Sequence, residues 1–380
     1  MKIAIFSDSY FPGIGGTEKA TFGLAEALSK DNEVVVCCPS YHKKEESNSP
    51  FPVLRAKSIR LTSNDNFALP GLSSKFKKQL KEFAPDVIHC QSVSPMTAYA
   101  LKYGKKNNVP VVMTVHTKFR TAFARSIKSK VIVNALVKNI AKKLNKADKV
   151  FTVSSDMIPE LNSYGYNGQI DIIRNGATFE RVKDLDKKKK LAIEKYHLEN
   201  EENIFVYVGH IVKFKNLEFT LDALKLVHEQ NPNFKMLFVG RGFDDEYFKK
   251  YAEKLGLADN VIFTGEITDK ELLGSLFAVG QLYLFPSIFD NDPLTVVEAA
   301  LHKVPALTLK GTGSSERIED GVSGFIIEND KVAYANKILE LIDNKELAKM
   351  AGENAERLIP KEWSKTAKEY LAEYKKLLKK

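Results

Sequence analysis

Short runs of β-branched and other apolar residues alternate along the chain with longer stretches whose apolar residues recur every three or four positions. The runs have the length of buried strands, and the longer stretches have the period of amphipathic helices. In the first half of the chain the strand-like runs are KIAIF, EVVVCC, DVIHC, PVVMTVH, KVFTVS and QIDII. We predict helices near 17–30, 73–83 and 96–106, and a long helical stretch after PVVMTVH. This alternation is typical of a parallel sheet with crossover helices, so a doubly wound α/β domain is predicted.

The same rhythm restarts after a lysine-rich stretch, RVKDLDKKKKLAIEKY, which we interpret as a linker with a short helix. The second series of strand-like runs is NIFVYVG, FKMLFVG, NVIFTG, GQLYLFPS, VPALTL and SGFII. We therefore predict two α/β domains in tandem, at residues 1–180 and 190–360. A final predicted helix within 362–380 carries an apolar stripe that needs a packing surface. We expect it to fold back onto one of the domains, the N-terminal domain being a candidate.

Composition restricts the cellular setting. The chain has 380 residues and is 44% hydrophobic, which is enough for two or three ordinary cores. Its cysteines, Cys37, Cys38 and Cys90, have neither the spacing of a metal site nor the number of a disulfide framework, which favours a reducing cytoplasm. No apolar run approaches the roughly 18 residues of a membrane span, so we expect neither a signal peptide nor a transmembrane anchor.

The net charge of +9 is concentrated in the first half of the chain. Residues 1–180 contain 26 Lys and Arg against 15 Asp and Glu, whereas residues 181–380 contain 31 against 33. From Val87 to Ala147 there is no acidic residue, and 12 basic residues occur. A positive field of this kind attracts nucleic acid, an acidic protein or an anionic lipid surface.

Two loops follow predicted strands and precede predicted helices, which is where open parallel sheets bind ligands. The first contains Gly13, Gly15 and Gly16 before a helix near Thr17. Glycines let backbone amides approach a phosphate or a sugar, and the helix dipole favours an anion there. The loop is not a dinucleotide fingerprint, because Glu18 stands where the third glycine belongs. A glycine-rich turn without a ligand would have the same pattern.

The second loop, PSIFDNDPLTVVEAA, contains Asp290 eight positions before Glu298. Asp292 suits the N-cap of the following helix, and Pro293 suits its first position. The first-turn amides would then lack intrahelical partners and suit an anion; these are the amides of Leu294, Thr295 and Val296. Asp290 and Glu298 could flank a ligand and accept hydrogen bonds from sugar hydroxyls. The alternative is a capped helix with exposed acids.

Other polar residues near these loops have both a functional and a structural interpretation. Lys213 and Lys215 precede a predicted helix at Asn216 and could neutralise a diphosphate, although surface lysines are common at such positions. His116 ends an apolar strand, where it is either a site residue or a core histidine. The DND sequence resembles a metal-binding Asp-x-Asp, but with Asp292 engaged as a cap we expect no metal site.

The order and spacing of several segments resemble those of the retaining glycosyltransferases of family 4. The matching segments are FPGIGGTE, VPVVMTVHTKF, TVSSDM, IIRNGA, VGHIVKFKN, FVGRGFDDE, NVIFTGEI, FPSIFDNDPLTVVEAALHKVPAL and ERIEDGVSGF. The resemblance covers nearly the whole chain. It implies the GT-B fold, in which two Rossmann-like domains face each other across a cleft, the N-terminal one for the acceptor and the C-terminal one for a nucleotide-sugar donor.

The resemblance also implies roles for individual residues. His116, Lys215 and Asp290 would be catalytic: His116 contacts the donor sugar, Lys215 holds the diphosphate, and Asp290 holds the sugar together with the helix-start amides. Glu298 would bind the ribose, and the base would lie against 265–267. The full implied donor site is Gly15, Gly16, His210, Gly240, Ile267, Asp290, Leu294, Thr295, Val296 and Glu298. No cofactor or metal is implied, since the nucleotide-sugar is itself the substrate.

Three positions depart from the family pattern, which usually has glutamate at Asp290, arginine at His210 and glycine at Pro293. A shorter acid still accepts hydroxyl hydrogen bonds. Histidine for arginine is the more serious change, because imidazole is mostly neutral at pH 7 and cannot bind phosphate bidentately. Lys213 is a candidate to compensate. The departures leave open a non-catalytic, nucleotide-sugar-binding subunit of a transferase complex.

The implied reaction moves a hexose, with glucose from UDP-glucose as the leading donor, to an acceptor hydroxyl with retention at the anomeric carbon. The basic segment indicates a membrane-surface element, because its apolar residues have helical spacing and its lysines lie mostly elsewhere around the helix. The resemblance extends to family members with lipid acceptors, which share a basic first domain and an aspartate at the Asp290 position, and it therefore implies an acceptor of the diacylglycerol type. The apolar residues are Ile132, Val133, Leu136, Val137, Ile140 and Leu144; the expected membrane contacts are Lys128, Lys130, Lys138, Lys142 and Lys143. We thus expect a cytoplasmic protein, peripheral on the inner face of the cell membrane.

Two alternatives remain for this segment. The apolar stripe could be the core face of the helix, and the acceptor could be soluble or a protein. Nucleic acid is the poorer partner, because no aromatic-rich or glycine-rich binding module accompanies the lysines.

Overall fold

The computed structural model describes residues 1–11, 15–41, 49–60, 66–177, 179–199 and 201–379 of the chain. Gly13 of the predicted glycine-rich loop lies outside these residues. The chain divides into two compact units. The first unit comprises Met1–Gly176 together with Lys361–Lys380, and the second unit comprises Ala177–Pro360.

The first unit is built on a seven-stranded parallel sheet. The nine strands described in this unit, seven of which form that sheet, are β1 (Lys2–Phe6), β2 (Glu33–Pro39), β3 (Val53–Ala56), β4 (Ser58–Arg60), β5 (Asn66–Ala68), β6 (Val87–Cys90), β7 (Val111–Val115), β8 (Lys149–Thr152) and β9 (Ile170–Ile172). The sheet order is β3-β2-β1-β6-β7-β8-β9, and β4 and β5 form a separate antiparallel pair. The helices are α1 (Gly16–Ser29), α2 (Ser74–Phe83), α3 (Pro95–Asn107), α4 (Phe119–Ser126), α5 (Lys130–Leu144) and α6 (Met157–Ser163).

The second unit is built on a six-stranded parallel sheet in the order β12-β11-β10-β13-β14-β15. Its strands are β10 (Ile204–Val208), β11 (Lys235–Val239), β12 (Val261–Gly265), β13 (Leu282–Phe285), β14 (Ala306–Leu309) and β15 (Gly324–Ile327). Its helices are α7 (Leu185–Tyr196), α8 (Leu217–Gln230), α9 (Asp245–Lys254), α10 (Lys270–Ala278), α11 (Leu294–Leu301), α12 (Lys331–Asp343) and α13 (Lys345–Leu358). The predicted fold class, two doubly wound α/β domains, is confirmed.

Alternating side chains of each strand enter the two faces of the sheet, as the pleat requires. In β1, Ile3 and Ile5 pack on one face, whereas Ala4 and Phe6 pack on the other. The face with Ile3 and Ile5 is covered by α1 and by the C-terminal helix α14 (Trp363–Leu378), which contributes Tyr370 and Tyr374 to that core. The last helix of the chain thus completes the core of the first unit.

The lysine-rich stretch after the first series of strands contains the predicted short helix, and that helix packs within the second unit. This helix is α7, whose N-cap Asp184 accepts a hydrogen bond from the amide of Lys187 at 3.0 Å. The fully buried Ala192 donates its amide to the hydroxyl of Ser275 on α10 at 2.8 Å. Most lysines of α7 lie on its solvent-facing side, whereas Ala192 lies on its packed side. A run of lysines in the sequence is therefore compatible with an amphipathic helix that packs on one face.

Candidate active site

Three glycines bring the backbones of neighbouring loops together where β10, β11 and β12 end. Gly240 has φ +137°, and a Cβ at this position would lie 2.0 Å from the carbonyl oxygen of Gly209. The amide of Gly240 donates to the carbonyl of Gly265 at 3.0 Å. The need for glycine at Gly240, one of the predicted donor contacts, is therefore explained by loop packing. Ile267 follows in the next loop, where it is half-buried against the core.

Lys215 and Asp290, predicted from different loops of the second unit, form a direct ion pair. Lys215 Nζ lies 2.6 Å from Asp290 Oδ1 and 2.7 Å from Oδ2, and the two side chains are 15% and 22% exposed. Asn216 lies beside them in the left-handed conformation (φ +61°) and donates from Nδ2 to the carbonyl of Pro286 at 3.2 Å. These bonds tie the loop after β10 to the loop after β13.

Asp292 is not the N-cap that the sequence predicts. Its carboxylate accepts two hydrogen bonds from Arg317, at 2.5 Å from Nε and 2.7 Å from Nη2, and the two side chains are only 1% and 6% exposed. Pro293 takes the N-cap position of α11, and the amide of Val296 donates to the Pro293 carbonyl at 3.2 Å. The prediction that the Val296 amide lacks a partner is therefore wrong, because the first turn closes on Pro293.

Glu298 lies on α11 with no exposed surface, so it is not the exposed acid of a simple capped helix. Burial raises the pKa of the neighbouring Tyr283 phenol well above its usual range, and the charges of Glu298 and Asp290 act in the same direction. The Tyr283 side chain is hydrogen-bonded to Thr295, another predicted donor contact. Glu298 also accepts, through its backbone carbonyl, a hydrogen bond of 2.7 Å from His302 Nδ1.

Two buried tyrosines that sequence reasoning missed hold the loop leading to Lys215. Tyr283 Oη donates to the carbonyl of Val208 at 3.0 Å, and Tyr207 Oη donates to the carbonyl of His210 at 3.2 Å. Both rings stack on Phe285. In the sequence both tyrosines stand at apolar positions of buried strands. The one feature that could have indicated a hydrogen-bonding role is the hydroxyl group, since a phenylalanine would pack equally well at these positions.

His210 stands where the family usually has arginine, and Lys213 is the residue expected to compensate for that arginine; both are exposed. His210 follows β10, and its side chain reaches solvent. The ammonium of Lys213 lies 3.6 Å from the centre of the Tyr247 ring, a cation–π contact that holds it over α9. Lys213 is therefore engaged by an aromatic ring, unlike Lys215, which is bound by a carboxylate.

In the first unit, the predicted glycine loop leads into α1 with Gly15 at its N-cap. A Cβ on Gly15 would lie 2.5 Å from Glu18 Oε2, whereas one on Gly16 would meet open space. A carboxylate therefore already lies at the N-terminus of α1. Because like charges repel, this end of the helix suits a neutral sugar better than a diphosphate.

His116 lies just after β7 and is half-buried. Its Nε2 lies 2.7 Å from Oε1 of Gln91, a residue that sequence reasoning missed. Gln91 follows β6, the strand next to β7 in the sheet. The two side chains meet because the carboxyl ends of adjacent parallel strands lie at the same edge.

The basic segment is only partly the membrane-facing helix that its sequence predicts. Four residues of the apolar stripe belong to the core, which is the alternative to a membrane-facing stripe: Val133, Val137, Ile140 and Leu144. Leu136 is half-buried. Lys143 is also half-buried: burial lowers its pKa, and the nearby charge of Asp8 opposes that shift. Lys143 is therefore less exposed than the other four lysines expected to contact the membrane.

The exposed part of this segment lies around the start of α5. Val131 is 79% exposed and Ile132 is 52% exposed. Lys128 and Lys130 immediately precede them and are exposed, as are Lys138 and Lys142 farther along the helix. We call Lys128, Lys130, Val131 and Ile132 the basic-apolar patch. Within the described ranges, no helix is both long enough and apolar enough to cross a bilayer.

Comparison with known proteins agrees with this architecture. Residues 14–181 match the family described as Glycosyltransferase Family 4, and residues 188–358 match the family described as Glycosyl transferases group 1. The two matches leave only 182–187 uncovered between them. The chain therefore belongs to the GT-B glycosyltransferases that combine these two domains, and the resemblance seen in its sequence is confirmed.

Its similarity to named relatives is low in identity but extends over most of the chain. It is 24% identical to the alpha-monoglucosyldiacylglycerol synthase of Acholeplasma laidlawii over 94% of this chain and 92% of the relative. It is also 24% identical to the synthase of the same name from Streptococcus pneumoniae, over 90% and 78%. A third relative, the sulfoquinovosyl transferase SQD2 of Arabidopsis thaliana, is 26% identical over 93% and 69%.

Solved structures share the fold. Sucrose-phosphate synthase from Thermosynechococcus elongatus aligns with a TM-score of 0.80 and 20% identity, over 99% of this chain and 98% of that one. Anabaena Alr3699/HepE, solved in complex with UDP and glucose, aligns with a TM-score of 0.76 and 18% identity over 99% of both chains. At these identities the likeness defines the fold alone.

Proposed function

We propose that this glycosyltransferase transfers glucose from UDP-glucose to a diacylglycerol-type lipid at a membrane surface, with retention at the anomeric carbon. The observation that carries the proposal is the Lys215–Asp290 ion pair at the carboxyl ends of β10 and β13. Two relatives that align over most of the chain bear the name alpha-monoglucosyldiacylglycerol synthase, and this supports the choice of donor and acceptor.

Lys215 is the group proposed to neutralise the diphosphate. Its ammonium is held by both oxygens of Asp290, so little reorganisation is needed when a phosphate arrives. Each carboxylate oxygen of Asp290 can accept further hydrogen bonds, which leaves it able to bind hydroxyls of the sugar. The amides of Leu294 and Thr295, in the first turn of α11, are the proposed backbone donors.

Glu298 is the proposed ribose contact, and it is the least accessible member of the site. Because it is fully buried, a ribose has to displace the groups that cover it before a hydroxyl can donate to the carboxylate. Gly240 and Ile267 would border the base, and His210 would lie beside the phosphates. No metal is required in this proposal, because Asp290 and Asp292 each already neutralise a cation of the chain, Lys215 and Arg317.

Chemistry in this site would consist of positioning and charge stabilisation. No covalent nucleophile is invoked: the acceptor hydroxyl attacks on the face that the diphosphate leaves, and a leaving-group oxygen takes its proton. Lys215 stabilises the negative charge that develops on the diphosphate. In the first unit, His116 would contact the donor sugar, with Gly15 and Gly16 near the sugar end.

The lipid acceptor is supported by the basic-apolar patch. Apolar side chains that enter the interface next to lysines that attract anionic headgroups are the two components of peripheral membrane binding. On this basis we propose that the protein works at the cytoplasmic face of the cell membrane. A soluble or protein acceptor is the alternative within the same enzyme class.

Product formation is the direct test. Purified protein is incubated with UDP-glucose and vesicles that contain diacylglycerol and an anionic lipid, and both free UDP and glucosyl lipid are measured. We expect the two products in equal amounts, and turnover lower by orders of magnitude in Lys215→Ala. UDP release that needs a soluble acceptor instead of diacylglycerol would refute the lipid acceptor.

A non-catalytic subunit is the second candidate function, and the histidine at position 210 is the observation that favours it. An exposed imidazole at a position where the family usually has arginine removes a permanent charge from the phosphate site. The same incubation distinguishes the two candidates. UDP binding by calorimetry without any release of UDP from UDP-glucose would favour the subunit.

A further inference from the structure

We propose that Gln91 is a positioning residue that fixes the ring orientation and the tautomer of His116. This inference rests on the proposed function, in which His116 contacts the donor sugar. It starts from the contact between Gln91 Oε1 and His116 Nε2 at 2.7 Å. An amide oxygen only accepts hydrogen bonds, so this nitrogen of His116 carries the proton, and Nδ1 is the acceptor nitrogen of the neutral ring.

The nitrogen of the Gln91 amide also has a hydrogen-bond partner, His89. Gln91 is only 2% exposed, and its Nε2 lies 3.1 Å from Nε2 of His89. Because an amide nitrogen donates, this His89 nitrogen is an acceptor and the proton of His89 is on Nδ1. Turning the amide over would put two acceptors face to face at His89 and two donors face to face at His116, so the orientation at His116 depends on His89.

His89 is in turn fixed by the C-terminal helix. His89 Nδ1 donates to Tyr374 Oη at 2.6 Å, and Thr114 Oγ1 lies 2.7 Å from His89 Nε2 and 2.9 Å from Tyr370 Oη. Burial lowers the pKa of His89 to about 3, with the charge of His116 acting in the same direction, so His89 stays neutral at pH 7 and keeps one donor and one acceptor nitrogen. A continuous buried network therefore runs from α14 to His116.

This network explains why polar side chains lie inside an otherwise apolar core. Tyr374 and His89 have no exposed surface, and His89 is hydrogen-bonded to the uncharged side chains of Tyr374, Thr114 and Gln91. Their hydrogen bond places the proton of His89 on Nδ1. This sets the orientation of the Gln91 amide, and the amide oxygen in turn sets the protonated nitrogen of His116. In a neutral His116 with Nε2 protonated, Nδ1 can accept a hydrogen bond from a hydroxyl, which is the bond a sugar can donate.

The test measures the tautomer and the kinetics separately. Protein labelled with ¹⁵N-histidine is studied by long-range ¹H–¹⁵N correlation at a pH where histidines are neutral, and His116→Ala identifies the His116 signals. We expect protonated Nε2 in the wild type and a mixture of tautomers in Gln91→Met. In turnover of UDP-glucose, Gln91→Met should lower kcat by about tenfold to a hundredfold, with KM for the donor changed far less.

Two further variants make the result specific. Gln91→Glu keeps an acceptor oxygen for His116 Nε2 and should recover part of the lost kcat. Gln281→Met removes a glutamine whose Nε2 donates to the carbonyl of Leu341 in the second unit, and it should leave both the His116 tautomer and kcat unchanged. If Gln91→Met does not fold, Gln91→Asn carries the same expectation, because its amide is one methylene too short to reach His116.

The outcomes separate this inference from the proposed function. Wild-type His116 protonated on Nδ1, or a tautomer and kcat unaffected by Gln91→Met, would overturn the inference while glucosyl transfer stood. Full turnover by His116→Ala would remove His116 from the proposed function, and the positioning role of Gln91 with it.

Discussion

Asp290, Asp292 and Glu298 lie within nine positions of one another, yet their surroundings give each a different state. Asp290 is partly exposed and paired with Lys215, Asp292 is buried against Arg317, and Glu298 is fully buried on α11. Spacing alone could not separate them. The partner of Asp292 comes from 25 positions later in the chain, and long-range pairs of this kind leave no local signal.

The Asp292–Arg317 pair should be a major contribution to the stability of the second unit. Arg317→Met leaves the buried Asp292 carboxylate without its cation, which should lower the free energy of unfolding by about 3–5 kcal/mol. Urea unfolding followed by far-UV circular dichroism measures this change in the free energy of unfolding. Lys310→Met is the matched control, because the Lys310–Glu328 pair is exposed and should cost less than about 1 kcal/mol.

The double variant Asp292→Asn with Arg317→Met should recover part of that loss, because it removes the uncompensated charge. If Arg317→Met lowers the free energy of unfolding no more than Lys310→Met does, the Asp292 carboxylate is hydrated in solution. The buried ion pair is then not the feature that orders the loop after β13.

At the level of the element, all the strands predicted from apolar runs occur in the structure. The three strands that were not predicted, β3, β4 and β5, have the sequences VLRA, SIR and NFA, in which polar residues leave at most two consecutive apolar positions, so they lack an apolar run that could be distinguished from a loop. The apolar period of α5 predicts the helix correctly, and of the two surroundings that the sequence left open, membrane or core, most of the stripe lies in the core. Periodicity identifies the apolar face of a helix and cannot tell whether protein or lipid covers it.

The packing of α14 onto α1 has a local test at Gly23. Alanine in a helix interior is ordinarily about 1 kcal/mol more favourable than glycine. Here a Cβ on Gly23 would lie 2.3 Å from Trp363 Nε1 and 2.4 Å from Cε2, so the indole has to move. We expect Gly23→Ala to lower the free energy of unfolding by about 1–3 kcal/mol, measured by urea unfolding with Trp363 fluorescence as the probe.

Gly71→Ala is the control, because a Cβ there meets no atom within 4 Å. It should change the free energy of unfolding by less than about 0.5 kcal/mol. A stabilising Gly23→Ala would mean that α14 does not rest on α1 as described.

At the scale of the whole molecule, the sequence was sufficient to predict the fold class and the family, because both depend on features repeated over the length of the chain. It was also sufficient to select Lys215 and Asp290, which the structure brings into contact. It could not predict Tyr207, Tyr283, Gln91 or Arg317. These residues are hydrogen-bonded to the loops or side chains of the candidate site, and those bonds form only in the tertiary structure.

The uneven charge of the chain belongs to the same scale. If the positive first half serves membrane binding, the basic-apolar patch should carry much of the affinity. Replacing both Val131 and Ile132 by serine should weaken sedimentation with anionic vesicles several-fold, and Lys128→Gln with Lys130→Gln should weaken it further at about 1 kcal/mol per lysine. Leu72→Ser is the control, since Leu72 is 71% exposed on the same unit but outside the patch. Equal loss in Leu72→Ser would contradict a localised membrane contact.

The central claim is that Lys215 receives the diphosphate of a sugar nucleotide, and calorimetric titration with UDP tests it most directly. The wild type should bind UDP, and Lys215→Ala should bind it about tenfold to a hundredfold more weakly, because a charge-assisted hydrogen bond is lost. Lys213→Ala, two positions away with its ammonium over Tyr247, should change the affinity by less than about threefold. Equal affinity in the wild type and Lys215→Ala, or no UDP binding by the wild type, would contradict the account.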